Sequence, residues 1–233
     1  MEAGFVSFQR QLIMARFELL IATRNTGKIE ELREAFYTLP LDLRLLQEFE
    51  NISDVPESGE TYLENATLKA AGYSKQTGVI ALADDSGLEV DALLGKPGGL
   101  SARFGGDDLS DTERTRALLS VLQRVDPTER TARFVCCMVL YGSPLFLPSE
   151  RLPPKVLAVT QGVCEGSLAM ETEGTNGFGF DPIFIPKGYT TSFAALDQAI
   201  KRTISHRARA ALLMRRRLER YLSSNLTEGG TAS

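Results

Sequence analysis

Two short apolar runs that stop abruptly at polar residues constrain the fold more than anything else in this chain. Residues 17–22 are apolar apart from Glu18 and run into Thr23, Arg24, Asn25, Thr26, Gly27 and Lys28, after which Ile29, Leu32, Ala35 and Phe36 recur at helical spacing. That order reads as strand, polar turn and helix. Residues 79–82 (Val-Ile-Ala-Leu) run into Ala83, Asp84, Asp85, Ser86 and Gly87. The length of the run and the glycine after the acids predict a buried strand over 79–84 that turns immediately afterwards.

The rest of the chain continues the alternation. A strand is expected over 42–48, a helix over 61–76 opened by the capping pair Thr61 and Glu64, and a loop over 95–106. Ser110 and Glu113 form a second such pair, capping a helix through about Val125. Residues 131–141 and 155–165 read as a long antiparallel pair joined by a proline-rich exposed loop, 144–154. The expected class is α/β: an elongated mixed β-sheet flanked by helices, in two lobes around a central cleft. With 233 residues, 43% of them hydrophobic, the chain can bury one good core. One domain is expected over 15–222, preceded by a dispensable extension (1–14, with Met14 an alternative start) and followed by a mobile polar tail, 223–233.

The polar segments carry the chemistry. The turn at 23–28 offers backbone amides at a helix N-terminus and donors from Thr23, Asn25 and Lys28, a combination suited to phosphate. It is not a Walker loop, because Ile29 stands where that motif needs a hydroxyl. On a strand only one of Asp84 and Asp85 faces a given cleft, and one of the two carboxyls titrates high unless a cation is near. Such acids either hold a metal or cap a hydrated turn. Glu64 is accounted for by its cap, whereas Asn65 and Lys69, one helical turn apart, present a donor and a cation on one face. Glu57 has no such structural role. In 174–184 the glycines allow close approach to a flat ligand, and Phe178 and Phe180 offer rings to stack on it. His206, the only histidine, opens the last helix beside Arg207; alone it is more often structural than catalytic.

Together these segments resemble the inosine triphosphate pyrophosphatase family, enzymes that hydrolyse non-standard purine nucleoside triphosphates. The matching motifs run in order over residues 18–218: Thr23-x-Asn25-x-x-Lys28, Glu64-Asn65-Ala66-x-x-Lys69-Ala70, Ala83-Asp84-Asp85-Ser86-Gly87-Leu88, Ser101-Ala102-Arg103, Gly177-Phe178-Gly179-Phe180-Asp181-Pro182 and Ile204-Ser205-His206-Arg207. The resemblance implies a nucleotide-binding cleft in which Thr23, Arg24, Asn25, Thr26, Gly27 and Lys28 bind the phosphates. Asp85 would be the proton acceptor and, with Glu57, a Mg²⁺ ligand, and Ser86 would touch substrate. Phe178, Gly179, Phe180, Asp181, Lys201, His206 and Arg207 would hold base and sugar. It also implies a homodimer and a role in cleansing the nucleotide pool before ITP, dITP or XTP reaches DNA or RNA.

This chain departs from the family pattern at Pro56, where an acid is usual before Glu57, at Ala195, at Ala199-Ile200, which replace an acidic pair before Lys201, and at Asn176, which stands for a glycine and suits a left-handed backbone. The replaced acids are not among the chemical residues, so altered surface contacts are expected there rather than lost activity.

A mechanism follows from the residue types. Asp85 accepts a proton from water attacking the α-phosphorus, while Mg²⁺, Lys28 and the substrate-binding Lys69 neutralise the pyrophosphate leaving group. Arg207, all donor and no acceptor, selects a 6-keto over a 6-amino purine but cannot reject guanine. A net charge of −4 gives no basic field for nucleic acid, no run is long enough to span a membrane, and Arg10 and Arg16 interrupt any signal peptide. Cys136, Cys137 and Cys164 read as core residues of a reduced cytoplasmic protein. Two other readings stay open: a Maf-type nucleotide pyrophosphatase of related fold, and a nucleotide-binding protein impaired in catalysis.

Overall fold

The computed structural model describes residues 17–143 and 153–228. β1 (Phe17–Ile21) feeds α1 (Thr26–Phe36), and β2 (Leu41–Leu45) and α2 (Tyr62–Thr77) lead into β3 (Ala81–Val90), on which β4 (Pro97–Gly98) folds back. After α3 (Asp111–Val121) come β5 (Thr131–Gly142), β6 (Lys155–Leu168), β7 (Phe184–Pro186), α4 (Gln198–Ile204) and α5 (His206–Glu228). These strands form one seven-stranded sheet in the order β2-β1-β3-β5-β6-β7, with β4 beside β3. β1 runs parallel to both neighbours and every other pair is antiparallel, which is the mixed sheet expected.

The core divides into two lobes that share their central strands. In the first, Leu19 and Ile21 of β1 meet Ile29, Leu32 and Phe36 of α1 and Ala210, Met214 and Leu218 of α5 on one face of the sheet. On the opposite face Leu20 and Ala81 pack on Ala66, Ala70 and Tyr73 of α2. The second lobe gathers Leu88, Leu118, Phe134, Phe180, Phe184 and Phe193. Each of these large side chains contributes roughly 1.5–3 kcal/mol when fully buried. β3 belongs to both lobes, with Leu82 in one and Leu88 in the other, so residues 84–87 lie at the seam.

Several local expectations need correction. β3 does not stop at Asp84; it continues through both acids to Val90, and Gly87 sits in mid-strand rather than at a turn. A Cβ on Gly87 would overlap the Gly98 carbonyl, so the glycine serves the close approach of β4. β2 ends at Leu45, and Leu46–Glu48 is a single 3₁₀ turn closed by Glu48 Oε1, which accepts the Leu45 N–H at 2.9 Å. The 95–106 loop contains β4 and a 3₁₀ turn, Ser101–Arg103. α3 ends at Val121, short of Val125, because the buried Arg130 guanidinium takes the Leu122 and Val125 carbonyls at 2.6 and 3.2 Å.

α5 runs through Glu228, so the tail expected from Ser223 begins inside the helix, where no glycine or proline intervenes before Gly229. Lys201 lies on the separate short helix α4. Asn176 is not left-handed; Gly177 is, at φ +80°. The 1–14 extension and most of the 144–154 loop lie outside the described residues. Among those residues no helix is long and apolar enough to cross a membrane.

Candidate active site

The link from β1 to α1 is built by its own polar side chains. Asn25 Oδ1 accepts the Lys28 N–H at 3.0 Å and caps α1, while Thr23 Oγ1 accepts the Asn25 N–H at 3.2 Å. Arg24 turns to the rim, donating to Asp54 at 3.0 Å and weakly to the Ile52 carbonyl. Lys28 instead reaches inward, with Nζ 3.0 Å from Asp84.

The two-residue period of β3 separates the adjacent acids. Asp84 shares a face with Leu82, towards α1 and α5, and Asp85 shares the other with Ala81 and Ala83, towards α2. Asp84 is fully buried between Lys28 and Arg207, whose Nε donates at 3.2 Å. Burial opposes its charge, yet Lys28, Arg207 and Lys69 outweigh that and hold the carboxyl far below the usual carboxylate range. Asp85 accepts from Asn65 Nδ2 at 3.3 Å and lies 3.5 Å from Lys69 Nζ. Asn65 is fixed in turn by the Gly59 N–H, which donates to its Oδ1 at 2.8 Å. Burial raises the Asp85 carboxyl pKa and Glu57 adds to the rise, while Lys69 and Lys28 pull against it. One acid is thus held between two cations inside the fold, and its neighbour on the opposite face lines the cleft.

A chain of alternating charges runs from the first lobe to the Phe178–Asp181 loop. Asp181 accepts from Lys201 at 2.7 Å, Lys201 lies 3.0 Å from Glu31, and Glu31 accepts from Arg207 at 2.7 Å. Burial works against the Lys201 charge, but Asp181 and Glu31 together raise its pKa. Arg207 also donates to Ser86 Oγ at 2.9 Å. The Phe178 ring stands 5.2 Å from Lys201 Nζ and 5.6 Å from the Arg207 guanidinium carbon. His206 stacks on Phe134, with centroids 4.7 Å apart. Burial, then Arg207 and Lys201, push its pKa well below the ordinary histidine value, so it is neutral.

These groups converge on a cleft of about 610 Å³. Its walls include Thr23, Arg24, Asn25, Lys28, Glu57, Lys69, Asp85, Ser86, Phe178, Gly179, Phe180, Asp181, Lys201, His206 and Arg207, all expected from the sequence. Thr26 and Gly27, also expected, do not line it; a Cβ on Gly27 would fall 2.5 Å from the Phe178 ring, which covers that residue. Sequence reasoning missed Glu31, whose one signal is its place a turn beyond Lys28. It also gave no role to Asp111 or Arg114, which enter from α3, or to Arg103, which lines the cleft with no ion-pair partner among the described residues. Ala195 and Ala199 are exposed and Ile200 is half-buried, and none of the three lines the cleft.

The charge count separates the two halves of the site. Asp84, Glu31 and Asp181 are matched one for one by Lys28, Arg207 and Lys201. Glu57 and Asp85 share the single ammonium of Lys69, at 2.7 and 3.5 Å. Two carboxylates with one cation leave a net anionic spot made of hard oxygen donors, which fits Mg²⁺, an ion commonly held by one or two carboxylates plus substrate phosphates and water. No cluster of three or more metal-ligating side chains occurs among the described residues, in keeping with that sparse donor set.

A mixed α/β sheet whose seam carries paired acids opposite a capped polar turn and a chain of buried cations defines a phosphoanhydride-binding protein of the nucleotide-processing class. Residues 19–217 match the Ham1 family, and the chain belongs to it. It is 41% identical over 193 residues to the dITP/XTP pyrophosphatase of Bacillus anthracis, covering 83% of this chain and 92% of that one. To the dITP/XTP pyrophosphatase of Haemophilus ducreyi it is 40% identical over 205 residues, 88% of this chain and all of the other. Among solved structures, a HAM1 protein from Coxiella burnetii superposes with a TM-score of 0.76 at 36% identity, covering 88% of this chain and 99% of that one. The Staphylococcus aureus Ham1 protein gives 0.73 at 37% identity, with 87% and 98% covered.

Proposed function

We propose that this protein hydrolyses non-standard purine nucleoside triphosphates (ITP, dITP and XTP) to the monophosphate and pyrophosphate, using Asp85 as proton acceptor and Mg²⁺ as cofactor. The observation that carries the reading is the split between two adjacent acids. Asp84 is buried in a cage of Lys28 and Arg207, while Asp85 points the other way, beside Asn65 and Lys69, and lines the cleft. The names borne by relatives about 40% identical over most of their length point to the same reaction.

The triphosphate lies along Thr23, Asn25 and Lys28, with Lys69 on its other side. At 4 Å and an effective dielectric near 20, each opposite pair of unit charges contributes roughly 4 kcal/mol, so these lysines counter the repulsion an anionic nucleophile meets. Asp85, oriented by the Asn65 amide, takes the proton of the attacking water. When bound at Asp85 and Glu57, Mg²⁺ supplies neutralisation of the phosphate oxygens. Lys28 and Lys69 then hold the departing pyrophosphate.

The base lies towards Phe178 and Arg207. Three of the five guanidinium N–H donors of Arg207 go to Asp84, Glu31 and Ser86, and five less three leaves two for a purine 6-keto oxygen. A 6-amino group would face those donors unmatched, which disfavours adenine.

The same reading takes the protein as a cytoplasmic homodimer. In its support, Leu94 and Leu100 beside β4 are 95% and 64% exposed, and the three cysteines are free. Pyrophosphate release from ITP, XTP, GTP and ATP, with and without Mg²⁺, tests the proposal. Metal-dependent release from ITP and XTP, and none from ATP, is expected; no release from either ITP or XTP would overturn it.

A further inference from the structure

We infer that the first turn of α3 is the positioning device of the base-reading loop: Asp111 and Thr115 hold Gly179 and thereby fix where the Phe178 ring stands over the cleft. The inference rests on the nucleotide reading above and adds residues that the resemblance does not assign.

Asp111 Oδ2 accepts the Gly179 N–H at 2.7 Å, and Thr115 Oγ1 donates to the Gly179 carbonyl at 3.2 Å. From inside the cleft Asp181 Oδ2 accepts the Phe178 N–H at 2.9 Å. The two consecutive amides at the loop tip are therefore each held by a carboxylate. Gly177 and Gly179 on either side of Phe178 have φ of +80° and +61°, a backbone that would drift without such anchors.

α3 does not need Asp111 for its own start. Ser110 Oγ accepts the Glu113 N–H and Glu113 accepts the Ser110 N–H in return, completing the cap. The turn is itself fastened, because the buried Arg114 donates to the carbonyls of Phe104, Gly106 and Leu109. What hangs from this fixed point is the ring that covers Gly27 and lies beside Lys201 and Arg207.

Asp111 lines the cleft, and an acid there repels a triphosphate. Charge alone therefore predicts that removing it tightens binding of any polyphosphate. The positioning role predicts the reverse for a ligand that carries a base.

The test compares wild type, Asp111→Ala, Asp111→Asn and Thr115→Val, measuring kcat and KM for ITP and the inhibition constant of inorganic tripolyphosphate, which has no base. Loss of a hydrogen bond to a charged acceptor predicts a KM for ITP about tenfold higher in D111A, with kcat within about twofold. Tripolyphosphate should bind D111A as well as wild type or better. T115V should follow in the same direction, and D111N, whose amide oxygen still accepts the Gly179 N–H, should recover most of the loss.

An unchanged or lower KM in D111A, or an equal rise in KM and in the tripolyphosphate constant, would overturn the inference while leaving the nucleotide reading intact. Wild-type protein that neither turns over ITP nor binds it by calorimetry would overturn both. Thermal unfolding of each variant separates misfolding from misplacement of the loop, and T115V and D111N keep the question open to refutation should D111A fail to fold.

Discussion

Asp84 and Asp85 differ in role because a strand sends neighbours to opposite faces, and the consequences can be measured separately. Asp85→Asn should cut kcat for ITP by about 10²–10⁴ while KM moves little, since the lost base acts in the transition state; a variant within threefold of wild type would remove Asp85 from that role. Asp84→Asn should act on stability instead. It leaves Lys28 buried without its anion and Arg207 with Glu31 alone, costing about 3–5 kcal/mol in urea unfolding. Burial raises the Glu31 carboxyl but Arg207 and Lys201 carry it below the ordinary 4.5. A depressed folded value means that its stabilisation is complete above the unfolded pKa and is lost as pH falls through the folded one. The urea midpoint difference between wild type and Glu31→Gln should therefore be large at neutral pH and shrink as the pH falls below 4.5. The acids themselves were legible, because a pair of aspartates closing an apolar run is a local signal. Glu31 was not: its partners Lys201 and Arg207 are remote in sequence and meet it only once α1, α4 and α5 come together.

Elements were legible where their ends carry chemical marks. Thr61 with Glu64 and Ser110 with Glu113 are capping boxes as read, and strands and helices alternate from β1 to β3. Glycines were harder, since a glycine can mark a turn or a close approach and only the partner tells which. Gly87 looked like the end of a strand and proved to be the place where the Gly98 carbonyl crosses β3. Gly27, read as part of a phosphate turn, is also the floor under Phe178. Gly27→Ala needs no unusual backbone angle, so its effect should come through the displaced ring: a higher KM for ITP with an unfolding midpoint near that of wild type. The ends of α3 and β2 were misjudged because Arg130 and Glu48 close them with side chains whose partners no local pattern announces.

At the scale of the whole molecule, a mixed sheet flanked by helices was expected and found, and the site lies where its two cores adjoin. Removing residues 1–14 should leave the melting temperature and the ITP rate unchanged; loss of either would give that segment a role. β3 and β5 run unbroken through both cores, paired from Ala81 with Tyr141 to Val90 with Ala132. Such a floor joins the two cores through one continuous pair of strands. On the proposed reading the phosphate turn and the base-reading loop are two rests on one frame, each taking one end of the ligand.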